Sequence, residues 1–185
     1  HRYELWDSSG KFLKVLAQIP AGEEIPIEGV KEGMRNPFWQ KMRPATMCWI
    51  EALDGGDPNR AADFRDVIMA HDAPFESSPR EVIKLPMRYS GLDHLERENL
   101  ALAWDYDRDT RWIKARLIDM GRSNIASECQ IVFSRNYYDQ YQDEGSLVYR
   151  MRPDGQTVGI IEDGDWVYLE GKGATPEGFR PFLVK

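Results

Sequence analysis

Histidine, cysteine and long apolar runs are all scarce in this 185-residue sequence. It contains three histidines and two cysteines. No apolar run approaches the roughly 18–20 residues that a transmembrane helix needs, so we expect no transmembrane segment. Two cysteines are too few for a disulfide scaffold. We therefore expect a core held by apolar side chains, with Cys48 and Cys129 as buried free thiols.

Positive charge is also in deficit. Lysine and arginine together number 24, aspartate and glutamate together number 31, and the formal net charge is −7. Binding of nucleic acid requires a basic surface that neutralises phosphates. The charge balance therefore argues against nucleic acid, and against an anionic membrane surface, as the main partner.

Motifs that mark common catalytic and nucleotide-binding sites are missing from the sequence. There is no G-x-x-x-x-G-K-[ST], no G-x-G-x-x-G, no paired C-x-x-C and no H-E-x-x-H. A nucleophile–base pair of Cys48 and His71 is one hypothesis, but a structural cysteine is favoured. We predict no catalytic residue, no metal site and no cofactor.

One acidic segment resembles a calcium loop. Asp105, Asp107 and Asp109 alternate as the ligands of such a loop do. The loop pattern then requires Gly and Glu where Thr110 and Arg116 stand, so a hairpin turn is favoured.

What the sequence has is a pattern of short apolar runs between frequent glycines and prolines, which is typical of a β-rich chain. The clearest hairpin combines a strand over 100–106 with one over 112–118. Larger apolar residues fall on even positions of the first strand, which places them on one face. The predicted fold class is mainly β, or β-rich α+β.

One helix is predicted near residues 58–71. Asp57 is a suitable N-cap and Pro58 suits the first helical position. Ala61, Phe64 and Val67 then follow at helical spacing. A second, short helix is predicted from about Asp93 to Glu98.

The two ends of the chain are similar to each other. Residues 22–29 and 164–171 share the order Gly, acid, any residue, β-branched, any residue, aliphatic, Glu, Gly. A second match aligns residues 32–38 with 177–182. This similarity predicts a small β unit present twice, or a chance likeness between turn–strand–turn segments.

The C-terminal copy resembles the bacterial SH3-like (SH3b) domain. The resembling residues are 149–155, with Arg and Pro before a Gly turn, and the strand pair over 158–169. Members of the family often close with a Gly-Trp pair. This chain departs from that pattern, because Gly178 is followed by Phe179. The resemblance implies small barrel units at both termini and a binding module outside the cytoplasm, periplasmic or secreted. It implies cell-wall glycan or peptide, or a protein, as partner.

The predicted organisation has three segments, which are compatible with one compact domain. They are an N-terminal SH3-like unit over residues 1–39, a central β-rich region over 40–145 with one or two helices, and a C-terminal SH3-like unit over 146–185.

A tyrosine-rich stretch is the best candidate for a binding surface, because tyrosine offers a flat apolar face and a hydroxyl. The alternative is an aromatic strand end packed on the core. The predicted binding residues are Tyr137, Tyr138, Tyr141, Trp166 and Tyr168.

The sequence thus favours a non-catalytic binding or assembly module. Two further hypotheses stay open. One is a polymer-acting hydrolase that uses a pair of carboxylates as acid and base. The other is a structural subunit of a secretion or phage assembly, which exposed apolar patches would mark.

Overall fold

A computed structural model describes residues 2–18 and 25–185, and its regular elements are all β-strands. The N-terminal hairpin and the two large sheets are formed by β1 (Arg2–Trp6), β2 (Phe12–Gln18), β3 (Arg35–Trp39), β4 (Thr46–Ala52), β5 (Asp66–Asp72), β6 (Arg80–Leu85), β7 (Arg88–His94), β8 (Leu100–Asp107), β9 (Trp112–Asp119) and β10 (Ile131–Asn136). The mainly β class predicted from the sequence is confirmed. Within the described ranges, no helix is long and apolar enough to cross a membrane.

The C-terminal part consists of shorter strands. They are β11 (Ser146–Leu147), β12 (Tyr149–Met151), β13 (Thr157–Gly159), β14 (Ile161–Glu162), β15 (Trp166–Val167), β16 (Leu169–Gly171), β17 (Ala174–Thr175), β18 (Gly178–Phe179) and β19 (Phe182–Val184). They pair as β11-β16-β19, β12-β13, β14-β15 and β17-β18. These pairings do not close residues 146–185 into a barrel.

Two four-stranded antiparallel sheets make up the centre of the molecule. The first sheet has the order β3-β4-β5-β6 and the second has the order β7-β8-β9-β10. Each strand therefore pairs with the next one along the chain, which is a simple meander. The hairpin predicted over 100–118 is confirmed, since Leu102 pairs with Leu117 and Asp107 with Trp112.

The main core lies between these two sheets. The first sheet contributes fully buried Ile50 and Ile68, and the second contributes Ala101, Ala103 and Ile118. Alanines on β8 let the sheets approach closely, because a larger side chain at either position would need space that neighbouring atoms already occupy.

The other face of β8 packs on the C-terminal unit. Leu102 is buried with Leu95 and Leu147, and the Trp104 ring stacks on Phe133 at 5.6 Å between centroids. Both faces of the strand are thus covered. A parallel bridge between Leu95 and Gly159 joins the second sheet to the C-terminal unit.

The helix predicted near 58–71 is wrong. Asp57 caps a turn instead. Its Oδ1 accepts a hydrogen bond from the backbone N–H of Asn59 at 2.9 Å, and its carbonyl oxygen accepts one from the backbone N–H of Arg60. The apolar residues that follow form β5, which pairs with β4 on one side and β6 on the other. An apolar run buried on both faces of a central strand lacks the period-2 signal of a half-buried strand.

The second predicted helix, over 93–98, is also wrong. Strand β7 extends through His94, and the chain then turns towards β8, with the N–H of Leu95 donating to the carbonyl of Leu100. This segment is a hairpin connection in the second sheet.

The two similar sequence segments at the chain ends do not form the same secondary structure over the residues that the structure describes in both of them. Residues 22–24 of the first copy lie outside the described residues. Ile27 lies in a turn and is 88% exposed, and Glu28 has a φ of 62°. The equivalent residues of the second copy form β15 and β16.

Candidate functional site

Three of the predicted binding residues lie together in the loop that follows β10. Tyr137, Tyr138 and Tyr141 are 53%, 67% and 68% exposed, so they form a surface feature and not a packed strand end. The N–H of Tyr137 donates to the carbonyl of Arg111 at 2.7 Å. The guanidinium of Arg135 pairs with Asp143 and Glu144 and so closes the loop.

The tyrosine rings are ordered by edge-to-face contacts. Tyr137 lies 5.8 Å from the ring of Tyr106 and 5.5 Å from that of Tyr138, both in T-shaped geometry. The guanidinium carbon of Arg111 lies 5.9 Å from the Tyr138 ring centroid, within cation–π range. The aromatic faces are therefore held at the surface before any ligand binds.

Two adjoining cavities border this loop, and we call them together the tyrosine cleft. The first has a volume of about 410 Å³ and lies between Tyr138, Tyr141 and Phe179. The second, of about 670 Å³, continues past Phe179 towards Lys172 and Glu170. Both volumes are of the size that small ligands or peptide side chains occupy.

Trp166 and Tyr168 are not brought to the tyrosine cleft. Trp166 lies on β15 with 55% of its surface exposed, and the Lys185 ammonium lies 5.8 Å from its ring. Tyr168 is half-buried and its carbonyl accepts from the N–H of Val148. Neither residue lines the two cavities, so the five predicted residues belong to two separate places.

A second concave site lies between two hairpin turns, and we call it the turn pocket. Its volume is about 360 Å³. It is lined by the turn between β3 and β4 and by the turn between β12 and β13, with Lys41, Arg43 and Arg152 as its cations and Asp154 as its carboxylate. The sequence did not predict this site.

Hydrogen bonds between the turns fix the shape of this pocket. The amide of Gln40, which is 2% exposed, donates to Asn99 Oδ1 in the β7–β8 connection at 2.9 Å. Lys41 Nζ donates to the carbonyl of Thr157 at 2.7 Å, and Arg152 donates to the sulfur of Met42. The first sheet and the C-terminal unit thus each contribute one turn to the lining, and the β7–β8 connection of the second sheet supports the pocket through Asn99.

The environments of Cys48, His71 and His94 do not activate these side chains for nucleophilic catalysis. Burial raises the pKa of the Cys48 thiol to about 12, which keeps it protonated and unreactive at neutral pH. Burial, followed by the charge of Lys41, lowers the pKa of His94 to about 4. The pKa of His71 is also lowered, first by burial and then by Lys14. The sequence-based preference for a structural Cys48 agrees with this environment.

Carboxylates in the two sheets serve mainly as structural partners. Asp54 and Asp66 are fully buried, and Arg88 pairs with both of them at 2.6 and 2.7 Å. Burial alone raises the pKa of Asp54, but hydrogen bonds from Arg88 and Arg65 outweigh it, so the pKa lies below its usual range. Asp105 is paired with Arg116 in the second sheet.

Comparison with known proteins relates the chain to proteases. It is 34% identical over 192 aligned residues to the "Probable glutamyl endopeptidase, chloroplastic" of Arabidopsis thaliana, and 33% identical over 190 to the protein of the same name in Oryza sativa subsp. japonica. Each alignment covers 98% of this chain and 20% of the relative. The chain therefore spans about a fifth of the length of these relatives. No family model matches it, and no solved structure matches it.

Proposed function

We propose that this chain is a non-catalytic β portion of a glutamyl endopeptidase-like protease, in which it binds polypeptide substrate. The observation that carries the proposal is the identity of 34% to a protein named for that activity, which extends over 98% of the chain. An alignment that spans nearly the whole chain supports a shared structural role for the whole segment. The binding role favoured by the sequence is kept, with a polypeptide as the ligand instead of a cell-wall polymer or an SH3b ligand.

The architecture that we propose is a run of β-propeller blades. Propellers consist of four-stranded antiparallel meanders that pack side by side around a channel. The two central sheets are such meanders, they follow each other in the chain, and they pack face to face through Ile68 and Ala103. The C-terminal unit begins a third inner hairpin, β12-β13, beside β7. In this arrangement the turn pocket lies between equivalent turns of the first and third blades, and the bond from Gln40 to Asn99 connects it to the corresponding turn of the second.

The environments of the chemically reactive groups support a role in binding. A thiol with a pKa near 12 does not act as a nucleophile, and a histidine with a pKa near 4 is a weak general base at neutral pH. By contrast, the tyrosine cleft and the turn pocket are open, concave and lined by exposed aromatic or charged side chains.

A segment exchange tests the proposal. The aligned segment of the Arabidopsis protein is replaced by this chain, and cleavage of an internally quenched peptide with one glutamate is measured. We expect the chimera to cleave after glutamate, a version with the segment deleted to lose activity, and the 185-residue chain alone to cleave nothing. A chimera with a native circular dichroism spectrum and no activity, or hydrolysis by the chain alone, would contradict the proposal.

A further inference from the structure

We propose that the turn pocket binds the side-chain carboxylate of a glutamate in the polypeptide substrate. The inference rests on the proposed function and assigns to it a specificity site. The residues that carry it are Lys41, Arg43 and Arg152, which come from two turns that the fold brings together.

The charge of the pocket is opposite to that of the chain. The chain has a net charge of −7, whereas the pocket contains three cations and one carboxylate. A local positive field on an acidic protein attracts anions. Salt screens this attraction. Side chains of this kind recognise carboxylates through charge-assisted hydrogen bonds.

Each cation retains capacity for a further acceptor. Lys41 Nζ is bonded to a neutral carbonyl and pairs with no carboxylate of residues 2–18 or 25–185. Arg43 lies 3.8 Å from Asp72, too far for a good hydrogen bond, and that carboxylate also accepts from the hydroxyl of Thr46 at 2.5 Å. Arg152 pairs with Asp154 at 3.3 Å through Nε only. An incoming carboxylate would complete these incomplete contacts.

The pocket is of a suitable size and is held in place before binding. Its 360 Å³ falls within the range of about 300–1,000 Å³ that is typical of ligand pockets. The bonds of Gln40 to Asn99 and of Lys41 to Thr157 connect the turns. Less ordering entropy is therefore lost on binding than for lysines and arginines on a mobile loop.

The test uses two blocked peptides of equal size, Ac-Ala-Glu-Ala-NH2 and Ac-Ala-Gln-Ala-NH2, with the 185-residue chain. Binding is followed by chemical-shift changes of backbone amides. We expect the glutamate peptide to shift amides of residues 40–45 and 152–157 and the glutamine peptide to leave them unchanged. Lys41→Gln and Arg43→Gln should each weaken binding about tenfold, which is the loss of one charge-assisted hydrogen bond.

Lys11→Gln is the matched control, because it removes the same charge from the turn of the N-terminal hairpin, and it should bind as the parent chain does. The inference is overturned if the two peptides bind equally, or if neither peptide changes the chemical shifts of the amides of residues 40–45. Both outcomes are measured on the parent chain, so they hold even if a variant fails to fold. Shifts confined to the tyrosine loop overturn it while leaving the proposed function in place. The segment exchange decides the proposed function independently.

Discussion

Arg88, the first residue of the second sheet, donates a hydrogen bond to buried Asp54 of the first sheet's β4–β5 connection, with 2.6 Å between Nη2 and Oδ2. Its other terminal nitrogen donates to Asp66 at 2.7 Å. One guanidinium thus compensates two carboxylates that have no exposed surface. Arg35 also pairs with Asp66 and Arg65 also pairs with Asp54, so Arg88 of the second sheet completes an ion-pair network that the first sheet supplies only in part.

Replacing Arg88 should therefore be strongly destabilising. Arg88→Ala removes the cation that both carboxylates share but leaves Asp54 with Arg65 and Asp66 with Arg35, so we expect a loss of about 1.5–3 kcal/mol in the free energy of unfolding. Urea unfolding measures it. Arg108→Ala is the control, because Arg108 and Glu28 form a pair whose side chains are 54% and 53% exposed, and pairs of that kind contribute about 0–1 kcal/mol. Similar losses for the two variants would show that the buried network contributes little.

The stability of the chain should fall as the pH falls from about 6.5 to 4. Burial keeps His94 neutral in the folded state, with a pKa of about 4, while in the unfolded chain the pKa is about 6.5. The unfolded state therefore takes up a proton that the folded state does not. The loss is roughly 3 kcal/mol across this window.

His94→Gln should remove this part of the pH dependence and leave the contribution of His71 in place. Unfolding by urea at pH 7 and pH 4 compares the two proteins. In addition, Lys41→Gln should raise the pKa of His94, measured by NMR titration, because the Lys41 charge is the second cause of its low value. An unchanged pH dependence in His94→Gln would assign the acid sensitivity to other groups.

Thiol reactivity should separate the two cysteines. Both are free, and Cys48 is fully buried, whereas Cys129 is partly exposed. Because the thiolate is the reactive form, a pKa near 12 makes Cys48 unreactive in the folded state. We expect a chromogenic disulfide reagent to label Cys129 slowly and Cys48 only after denaturation. Rapid labelling of Cys48 in native buffer would contradict the burial seen between the sheets.

The close approach of the two sheets should not tolerate a larger residue on β8. Ala103 is fully buried between them, so Ala103→Leu should cost about 1–3 kcal/mol of unfolding free energy through overpacking. Ala62→Leu adds the same side chain at an exposed position of the β4–β5 connection and should change stability by less than about 0.5 kcal/mol. Thermal unfolding of both variants checks the difference.

The sequence predicted strands well where one face differs from the other. The hairpin over 100–118 was found from its alternation, since large residues such as Leu102 face the C-terminal unit and small ones such as Ala103 face the first sheet. The same pattern did not predict β5, because both faces of that strand are buried and its apolar run fits a helix equally well. Asp57 and Pro58 also fit a turn as readily as a helix start.

The candidate sites show a similar division. The tyrosine loop was predicted from composition alone, because its residues are neighbours in the sequence. Trp166 and Tyr168 were grouped with it only by residue type, and the fold places them elsewhere. The turn pocket depends on Lys41 and Thr157, which are 116 positions apart. Only the packing of one sheet on the next brings such residues together.

The link between the two sheets limits where the chain can change in length. Only Pro86 and Met87 separate β6 from β7. The N–H of Met87 donates to Asp105 of the second sheet, and the N–H of Tyr89 donates to Asp66 of the first. An inserted residue here would displace these two backbone donors and leave the buried Asp105 and Asp66 each with one hydrogen bond fewer. Related chains should therefore accept extra residues in the longer β9–β10 connection and keep this link at a fixed length.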